Sequence, residues 1–174
     1  FKGNYSGTVT WTVSANATSY EIYRSVKGGK FVKVDTLYIK DTSRQRTLGY
    51  ADLKAKTNGV KYAYKIVAVR TLGNVTVKSA TSAGVTAYYM VAPSGIKMSN
   101  SARRTVRVSY AANSKATGYQ IRYSLKSSMA GAKVIKMAGS RSVAKNITGL
   151  TKGRKYYVSV RSYKTVGKTA YYSA

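Results

Sequence analysis

Two stretches of the sequence carry the same alternation of apolar and polar residues. Residues 59–80 read GVKYAYKIVAVRTLGNVTVKSA, and residues 153–174 read GRKYYVSVRSYKTVGKTAYYSA. In each stretch apolar residues recur at every second position, the pattern breaks at a glycine (Gly73 and Gly167), and the alternation then resumes. A period of two is typical of a β-strand with one buried face. Each stretch is therefore predicted to form a half-buried β-hairpin.

The rest of the chain repeats in the same way. Residues 59–80 align with residues 153–174 without a gap, and residues 9–25 align with residues 108–124. Matching positions hold identical or similar residues: Trp11/Tyr110, Tyr20/Tyr119, Ile22/Ile121 and Tyr62/Tyr156. The chain is thus predicted to contain two copies of one small β domain, residues 1–90 and residues 91–174. The first copy is expected to have its first strand missing or partial, and the second copy to have its last strand truncated.

Each copy consists of short alternating segments separated by turn residues. Helix signals are absent, and KGGK at residues 27–30 is typical of a hairpin turn. About seven strands at this spacing predict an antiparallel β-sandwich. The tyrosines at the aligned inward positions, Tyr20, Tyr62, Tyr119 and Tyr156, are predicted to lie in the cores.

Several motifs resemble a known family. The spacing from Leu150 through Gly153 to Tyr156 resembles the signature before the sixth strand of fibronectin type III domains, and Trp11 matches that family's second-strand tryptophan. The segments ATSYEIYRS, ATGYQIRYS and LTKGRKYYVSVRSYK resemble tandem modules of Gram-positive bacterial cell-surface proteins. The resemblance implies an all-β chain of two tandem seven-stranded immunoglobulin-like sandwiches. It also implies tyrosine corners at Tyr62 and Tyr156, with Leu53 as the first-copy equivalent of Leu150.

Charge is the most unusual feature of the composition. The chain has 31 Lys and Arg residues but only four acidic ones, Glu21, Asp35, Asp41 and Asp52. The first 92 residues hold 14 of the basic side chains and all four acids, whereas residues 93–174 hold 17 basic side chains and no acid. Such an imbalance predicts attraction to polyanions.

The residues that usually carry chemistry are scarce. The chain has no Cys and no His, which removes thiol nucleophiles, the commonest general base and the usual transition-metal ligands. Four acids in one copy offer no motif for paired carboxylates. No enzymatic activity, cofactor or metal is therefore expected. No apolar run is long enough to insert into a membrane.

The second copy has one candidate binding surface. If Tyr156 and Val158 point inward, alternation turns Tyr157, Arg161 and Tyr163 outward. On neighbouring strands Arg122 and Tyr172 should then face the same side. Arg122, Tyr157, Arg161, Tyr163 and Tyr172 form the candidate anionic-ligand face, where guanidinium groups and aromatic rings are suited to phosphate, sulfate or sugar groups.

Three classes of function remain open. The first is a non-catalytic structural or spacer module, with a strongly basic surface, of a larger bacterial surface or secreted protein. Such a module would lie outside the cell, at the cell surface or in the cell wall, beside other domains of its parent protein, and would serve in adhesion. The second is a binding module for an anionic cell-wall polymer such as teichoic acid, a sulfated glycan, or nucleic acid through non-specific charge. The third is a subunit of a surface appendage or phage particle.

Overall fold

The computed structural model describes residues 2–3, 8–39 and 47–174, and these residues form strands, turns and loops without a helix. They divide into two compact units, Phe1–Tyr89 and Met90–Ala174. Apolar alternation explains the absence of helices, because side chains that recur at period two can be buried on one side only in an extended backbone.

The first unit is built from two antiparallel sheets. One sheet has the order β1-β2-β5, from β1 (Lys2–Gly3), β2 (Thr8–Thr12) and β5 (Thr47–Ala51). The other has the order β4-β3-β6-β7, from β3 (Ser19–Val26), β4 (Val32–Tyr38), β6 (Lys61–Leu72) and β7 (Val75–Lys78). A further strand, β8 (Val85–Tyr88), pairs with the first half of β6.

The second unit has seven strands in two antiparallel sheets. The order β13-β10-β9 joins β9 (Lys97–Ala102), β10 (Thr105–Ser109) and β13 (Ala144–Ile147). The order β12-β11-β14-β15 joins β11 (Gly118–Ser124), β12 (Lys133–Ala138), β14 (Tyr157–Val166) and β15 (Thr169–Tyr172). The all-β sandwich prediction is confirmed. The two repeated stretches are the hairpins β6–β7 and β14–β15, whose glycines Gly73 and Gly167 have φ near +60°.

The described part of the first unit has eight strands, because the edge segment that pairs with β6 is divided into β7 and β8. Between β7 and β8 the chain stays beside β6: the Ser79 and Ser82 N–H groups donate to the Ala68 and Ile66 carbonyls (both 2.9 Å), and the two serine hydroxyls accept the N–H groups that lack a backbone partner. Ser79 Oγ accepts a hydrogen bond from the Ala68 N–H (3.0 Å), and Ser82 Oγ accepts one from the Ile66 N–H (2.9 Å). These hydroxyls satisfy backbone donors that would otherwise be unpaired at a sheet edge.

Each unit has its own core, which takes residues from both of its sheets. The first core contains Val9 and Trp11 from β2, Tyr20 and Ile22 from β3, and Tyr64 and Ile66 from β6; the second contains Val108, Tyr110, Tyr119, Ile121 and Val160. The aligned aromatic pairs are retained. The ring centroids of Trp11 and Tyr20 lie 5.3 Å apart, and those of Tyr110 and Tyr119 lie 4.9 Å apart.

Two core tyrosines also hold loops through their hydroxyl groups. The Tyr20 hydroxyl accepts a 2.6 Å hydrogen bond from the Ser14 N–H, and the Tyr119 hydroxyl accepts one of the same length from the Asn113 N–H. Tyr119 also donates to the Ser140 carbonyl (2.7 Å). Sequence patterns placed both rings in the core, but they did not predict this second role.

The residues expected to form tyrosine corners make similar contacts. The Tyr62 hydroxyl accepts from the Thr57 N–H (3.3 Å), and the Tyr156 hydroxyl accepts from the Thr151 N–H (3.1 Å). Tyr62 is buried, whereas Tyr156 is only half-buried. The expected equivalence of Leu53 and Leu150 is wrong, because Leu53 is 74% exposed and Leu150 only 7%. In the longer first-unit connection Ala55 is buried instead.

Candidate anion-binding site

The candidate face lies on the outer side of the sheet β12-β11-β14-β15. Tyr119 and Ile121 are buried in the core, so their neighbours Gln120 and Arg122 project from the opposite side of β11. The register pairs Gln120 with Arg161 and Gly118 with Tyr163, while Tyr163 pairs with Tyr172 on β15. The predicted residues Arg122, Tyr157, Arg161, Tyr163 and Tyr172 therefore share one side of the sheet, and we call this surface the arginine–tyrosine face.

Arg161 is held in place by two neutral neighbours. Its Nε donates a 2.5 Å hydrogen bond to Oε1 of Gln120, and its guanidinium carbon lies 4.1 Å from the ring centroid of Tyr172. A guanidinium group stacked on an aromatic ring keeps its full charge while its orientation is restricted. Arg161 is half-buried and has no carboxylate partner in its unit, so its positive charge remains available to an anion.

Tyr163 departs from the prediction that it is open to a ligand. It points outward, yet only 5% of its surface is exposed. Its hydroxyl donates to the Met137 carbonyl (3.1 Å), and Lys136 Nζ lies 4.9 Å from its ring centroid. The missing side chain of Gly118 leaves the space that the ring occupies. Tyr163 therefore supports the face from below and does not present its ring to a ligand.

Arg122 and Tyr157 occupy the same side of β11 and β14. Arg122 lies between Val134 on β12 and Ser159 on β14 in the register, and it is half-buried. Tyr157 is half-buried under Lys155, whose Nζ lies 5.1 Å from the ring centroid. The structure thus brings Arg122, Tyr157, Arg161 and Tyr172 to an accessible surface, to which Lys136 adds a cation that the sequence analysis missed.

The same face of the first unit has a different charge arrangement. Glu21 stands at the position of Gln120, and its carboxylate accepts hydrogen bonds from Lys78 Nζ (2.9 and 3.0 Å), Lys33 Nζ (3.2 Å) and the Tyr23 hydroxyl (2.9 Å). Lys78, then Tyr23 and Lys33, outweigh the opposing effect of burial and lower the pKa of Glu21 to about 2. On this face the first unit pairs two of its lysines with a carboxylate, whereas the second unit has no acidic side chain to do so.

This lowered pKa has a defined effect on stability. A carboxyl group whose pKa is lower in the folded than in the unfolded chain stabilises the fold above its ordinary value, here 4.5, and loses that contribution as the pH falls towards 2. The Glu21 contacts therefore operate fully at neutral pH. Because Lys33 and Lys78 are about half exposed, their ion pairs stabilise the unit only modestly.

A second carboxylate is buried in the first unit. Asp52 accepts hydrogen bonds from Arg24 Nη1 (2.8 Å), the Tyr64 hydroxyl (2.9 Å) and the Lys54 N–H (3.0 Å). Burial acts to raise the pKa of Asp52, but these donors outweigh it and hold the pKa below its ordinary value. Burial and the adjacent carboxylate likewise raise the pKa of Tyr64. Asp52 is therefore a structural anion that stays ionised at neutral pH.

In residues 2–3, 8–39 and 47–174, no group of three or more His, Cys, Asp and Glu side chains is arranged to hold a metal ion. Within the same ranges, no helix has the length and apolar character needed to cross a membrane. Asp41 lies outside the described residues.

The strand orders and the two-layer cores define the class of this protein as an immunoglobulin-like β-sandwich protein. Within that class, the model of the fibronectin type III domain family matches residues 91–174. The second unit is therefore similar to fibronectin type III domains, which confirms the predicted resemblance. The first unit has the same two-sheet architecture.

The chain is similar to parts of bacterial proteins named amylopullulanase. It is 42% identical over 87 residues to the protein of Thermoanaerobacter thermohydrosulfuricus and 39% identical over 87 residues to that of Thermoanaerobacterium saccharolyticum. Each match covers 49% of this chain, but only 5% and 6% of the relatives' length. A solved two-domain fibronectin type III segment of chicken tenascin matches 99% of this chain and 91% of its own length, with 18% identity and a TM-score of 0.45.

Proposed function

We propose that the chain is a non-catalytic spacer module of a larger extracellular bacterial protein. The proposal is supported above all by the matches to amylopullulanases, in which a stretch like this one makes up about a twentieth of the length. Fibronectin type III domains serve many proteins as modules, so the fold alone does not assign an activity. The buried carboxylates agree with a structural role, because Glu21 and Asp52 are engaged by cations of their own unit.

A direct assay with neutral glucans tests this proposal. The purified chain is expected to release no reducing sugar from pullulan or amylopectin, and its migration in a native gel should not be slowed when pullulan is added to the gel. A glycoside hydrolase needs a pair of acids, one of which is protonated near neutral pH. Ion pairs hold Glu21 and Asp52 ionised, so neither can act as that protonated acid. Release of sugar would contradict the proposal. Slower migration in the presence of pullulan would show that the chain is a glucan-binding module and not a spacer.

A second function, binding of an anionic polymer, is favoured by one specific difference between the units. On the outer face of the first unit Glu21 pairs with Lys33 and Lys78, whereas on the second unit Gln120 places a neutral amide beside Arg161. We propose that the arginine–tyrosine face binds an anionic cell-wall polymer, a sulfated glycan or, through charge alone, nucleic acid. It should do so more strongly than the corresponding face of the first unit, at a bacterial cell surface or cell wall.

The Arg122→Ala, Arg161→Ala double variant tests this proposal. Heparin is a suitable probe, with affinity measured at several salt concentrations. Removing two contacting cations should lower the slope of log affinity against log salt by about two, since each contact releases about one counterion. Gln120→Glu should also weaken binding, because it places a carboxylate beside Arg161 as Glu21 does in the first unit.

Matched controls separate this face from diffuse charge. Lys115→Gln removes one positive charge, so it changes the net charge as much as Gln120→Glu does, but Lys115 lies in the exposed loop between β10 and β11. It should change the slope less than Gln120→Glu. Equal effects of these two variants, or an unchanged slope in the double arginine variant, would show that this face is not a site.

A further inference from the structure

A second basic region lies at one end of the second unit. The connections β9–β10, β11–β12 and β13–β14 lie at the same end, because successive strands run in opposite directions. Two adjacent cavities open there, of about 640 and 400 Å³, and they share Leu150, Thr151 and Tyr156. We call them together the end groove. None of its cations belongs to the arginine–tyrosine face.

The end groove is lined by six cationic side chains. Arg103, Arg104, Lys152 and Arg154 line the larger cavity, and Lys126 and Lys133 line the smaller one. No residue from Leu53 to Ala174 has a carboxylate side chain, so the second unit contains no acidic side chain to pair with these cations. Cations that converge on a cavity without counter-charges repel one another, and an anion bound between them relieves that repulsion.

The two connections of the larger cavity are fixed to each other. The Leu150 N–H donates to the Arg104 carbonyl (3.1 Å), and Arg104 Nε donates to the Leu150 carbonyl (2.9 Å). Arg104 has a φ of 56°, a left-handed conformation that residues other than glycine adopt at some cost. These bonds orient the guanidinium group and leave its terminal nitrogens without an acceptor among the described residues. A planar group held in this way is suited to paired oxygen acceptors.

Tyr156 reports the electrostatic character of this region. The Tyr156 hydroxyl accepts a hydrogen bond from the Thr151 N–H, and this bond lowers the pKa of Tyr156. The nearby charges of Lys133 and Arg154 lower it further. Lys133 and Arg154 line different cavities, so Tyr156 experiences positive charge from both. The shared wall is therefore flanked by cations on both sides, which favours one ligand with several charges over two separate ions.

We propose that the end groove binds an oligoanion, a short chain of sugar or polyol units that carries repeated phosphate or sulfate esters. Cavities of several hundred Å³ are large enough for ligands well beyond a single inorganic anion. Esters of neighbouring units would meet the guanidinium groups of the larger cavity and the ammonium groups of the smaller one. Leu150 and Tyr156 would contact the carbon backbone of the ligand between them.

Three probes of similar size test this inference on the full chain by isothermal titration calorimetry. A heparin tetrasaccharide supplies sulfate esters, a glycerol phosphate tetramer supplies phosphodiesters, and maltotetraose supplies neither charge. We expect binding of at least one charged probe and none of maltotetraose. Arg103→Gln, Arg154→Gln should weaken that binding at least tenfold and lower the salt slope by about two. The stronger charged probe identifies the preferred ester.

The control variant Lys115→Gln, Lys168→Gln removes the same charge at the opposite end of the unit, and it should weaken binding less than threefold. Arg122→Ala, Arg161→Ala should remove binding at the arginine–tyrosine face only and leave the end groove at its wild-type affinity, which separates the two sites. Circular dichroism verifies that every variant is folded, and Arg103 and Arg154 were chosen because neither side chain makes the Arg104–Leu150 link. Equal losses in all three double variants, binding of maltotetraose, or no binding of either charged probe would overturn the inference.

Discussion

Replacing Gly118 with alanine should unfold the second unit at a much lower denaturant concentration than the wild type. A Cβ atom there would overlap the Met137 carbonyl oxygen and the Tyr163 hydroxyl, and it would lie 2.6 Å from Cζ of Tyr163. The carbonyl belongs to the paired strand β12, so it cannot rotate away as a flexible side chain could. Overpacking of this kind costs about 3 kcal/mol. The loss of far-UV circular dichroism during urea unfolding measures the effect.

The first unit supplies the control for this variant. Ser19 and Val69 occupy the positions equivalent to Gly118 and Tyr163. The Cβ atom of Ser19 is accommodated there because Val69 has no large ring to cover it. Gly118→Ser combined with Tyr163→Val should recover part of the lost stability, although the overlap with Met137 remains. Trp11, the only tryptophan, lies in the first core, and its fluorescence should report an unchanged first unit. A Gly118→Ala variant with the wild-type midpoint would contradict the close packing of Tyr163.

Arg24→Met should destabilise the first unit by about 2 to 3 kcal/mol at pH 7. The variant leaves the Asp52 side chain, which is only 2% exposed, without its cationic partner. Burial then raises the pKa of Asp52 relative to the wild type, where Arg24 lowers it. The folded variant therefore takes up a proton at a higher pH than the folded wild type. Trp11 fluorescence during urea unfolding measures the difference in the free energy of unfolding.

The pH dependence distinguishes this mechanism from a loss of packing. As the pH falls from 7 towards 3, Asp52 becomes neutral in the variant first, so the gap in stability between variant and wild type should narrow. Lys78→Met is the matched control, because it breaks an ion pair to Glu21 whose lysine is 52% exposed, and it should lower the stability much less than Arg24→Met does. If the difference in the free energy of unfolding between variant and wild type stays constant with pH, Arg24 stabilises the unit only through the packing of its carbon chain.

Periodicity predicted the fold well because the strands depend on local alternation. The aligned hairpins and the pairs Trp11/Tyr110 and Tyr20/Tyr119 follow directly from residues that recur at period two. Leu53 was misassigned because connection length, which the alternation does not constrain, decides which residue reaches the core. The burial of Tyr163 depends on its cross-strand neighbour, and only the register shows that this neighbour is Gly118.

The candidate sites were less predictable from the sequence. Alternation gave the direction of Arg122, Arg161 and Tyr172, but the contact between Arg161 and Gln120 depends on side-chain conformation. The end groove could not be predicted, because it joins turns that lie far apart in the sequence and are brought together by the antiparallel sheets. A signal was nevertheless present, since basic residues occur in each of the three turns that line it.

The complete lack of acidic side chains in the second unit makes it a body of constant charge. Without His, Asp or Glu, its side chains have nothing to titrate between strongly acidic conditions and the range where lysine and tyrosine lose protons, near pH 10. It resembles a strong ion exchanger, whose capacity is the same in acidic and neutral media. Acidification of the surroundings should therefore leave the proposed binding of a sulfate ester or phosphodiester unaltered, whereas competing ions should weaken it.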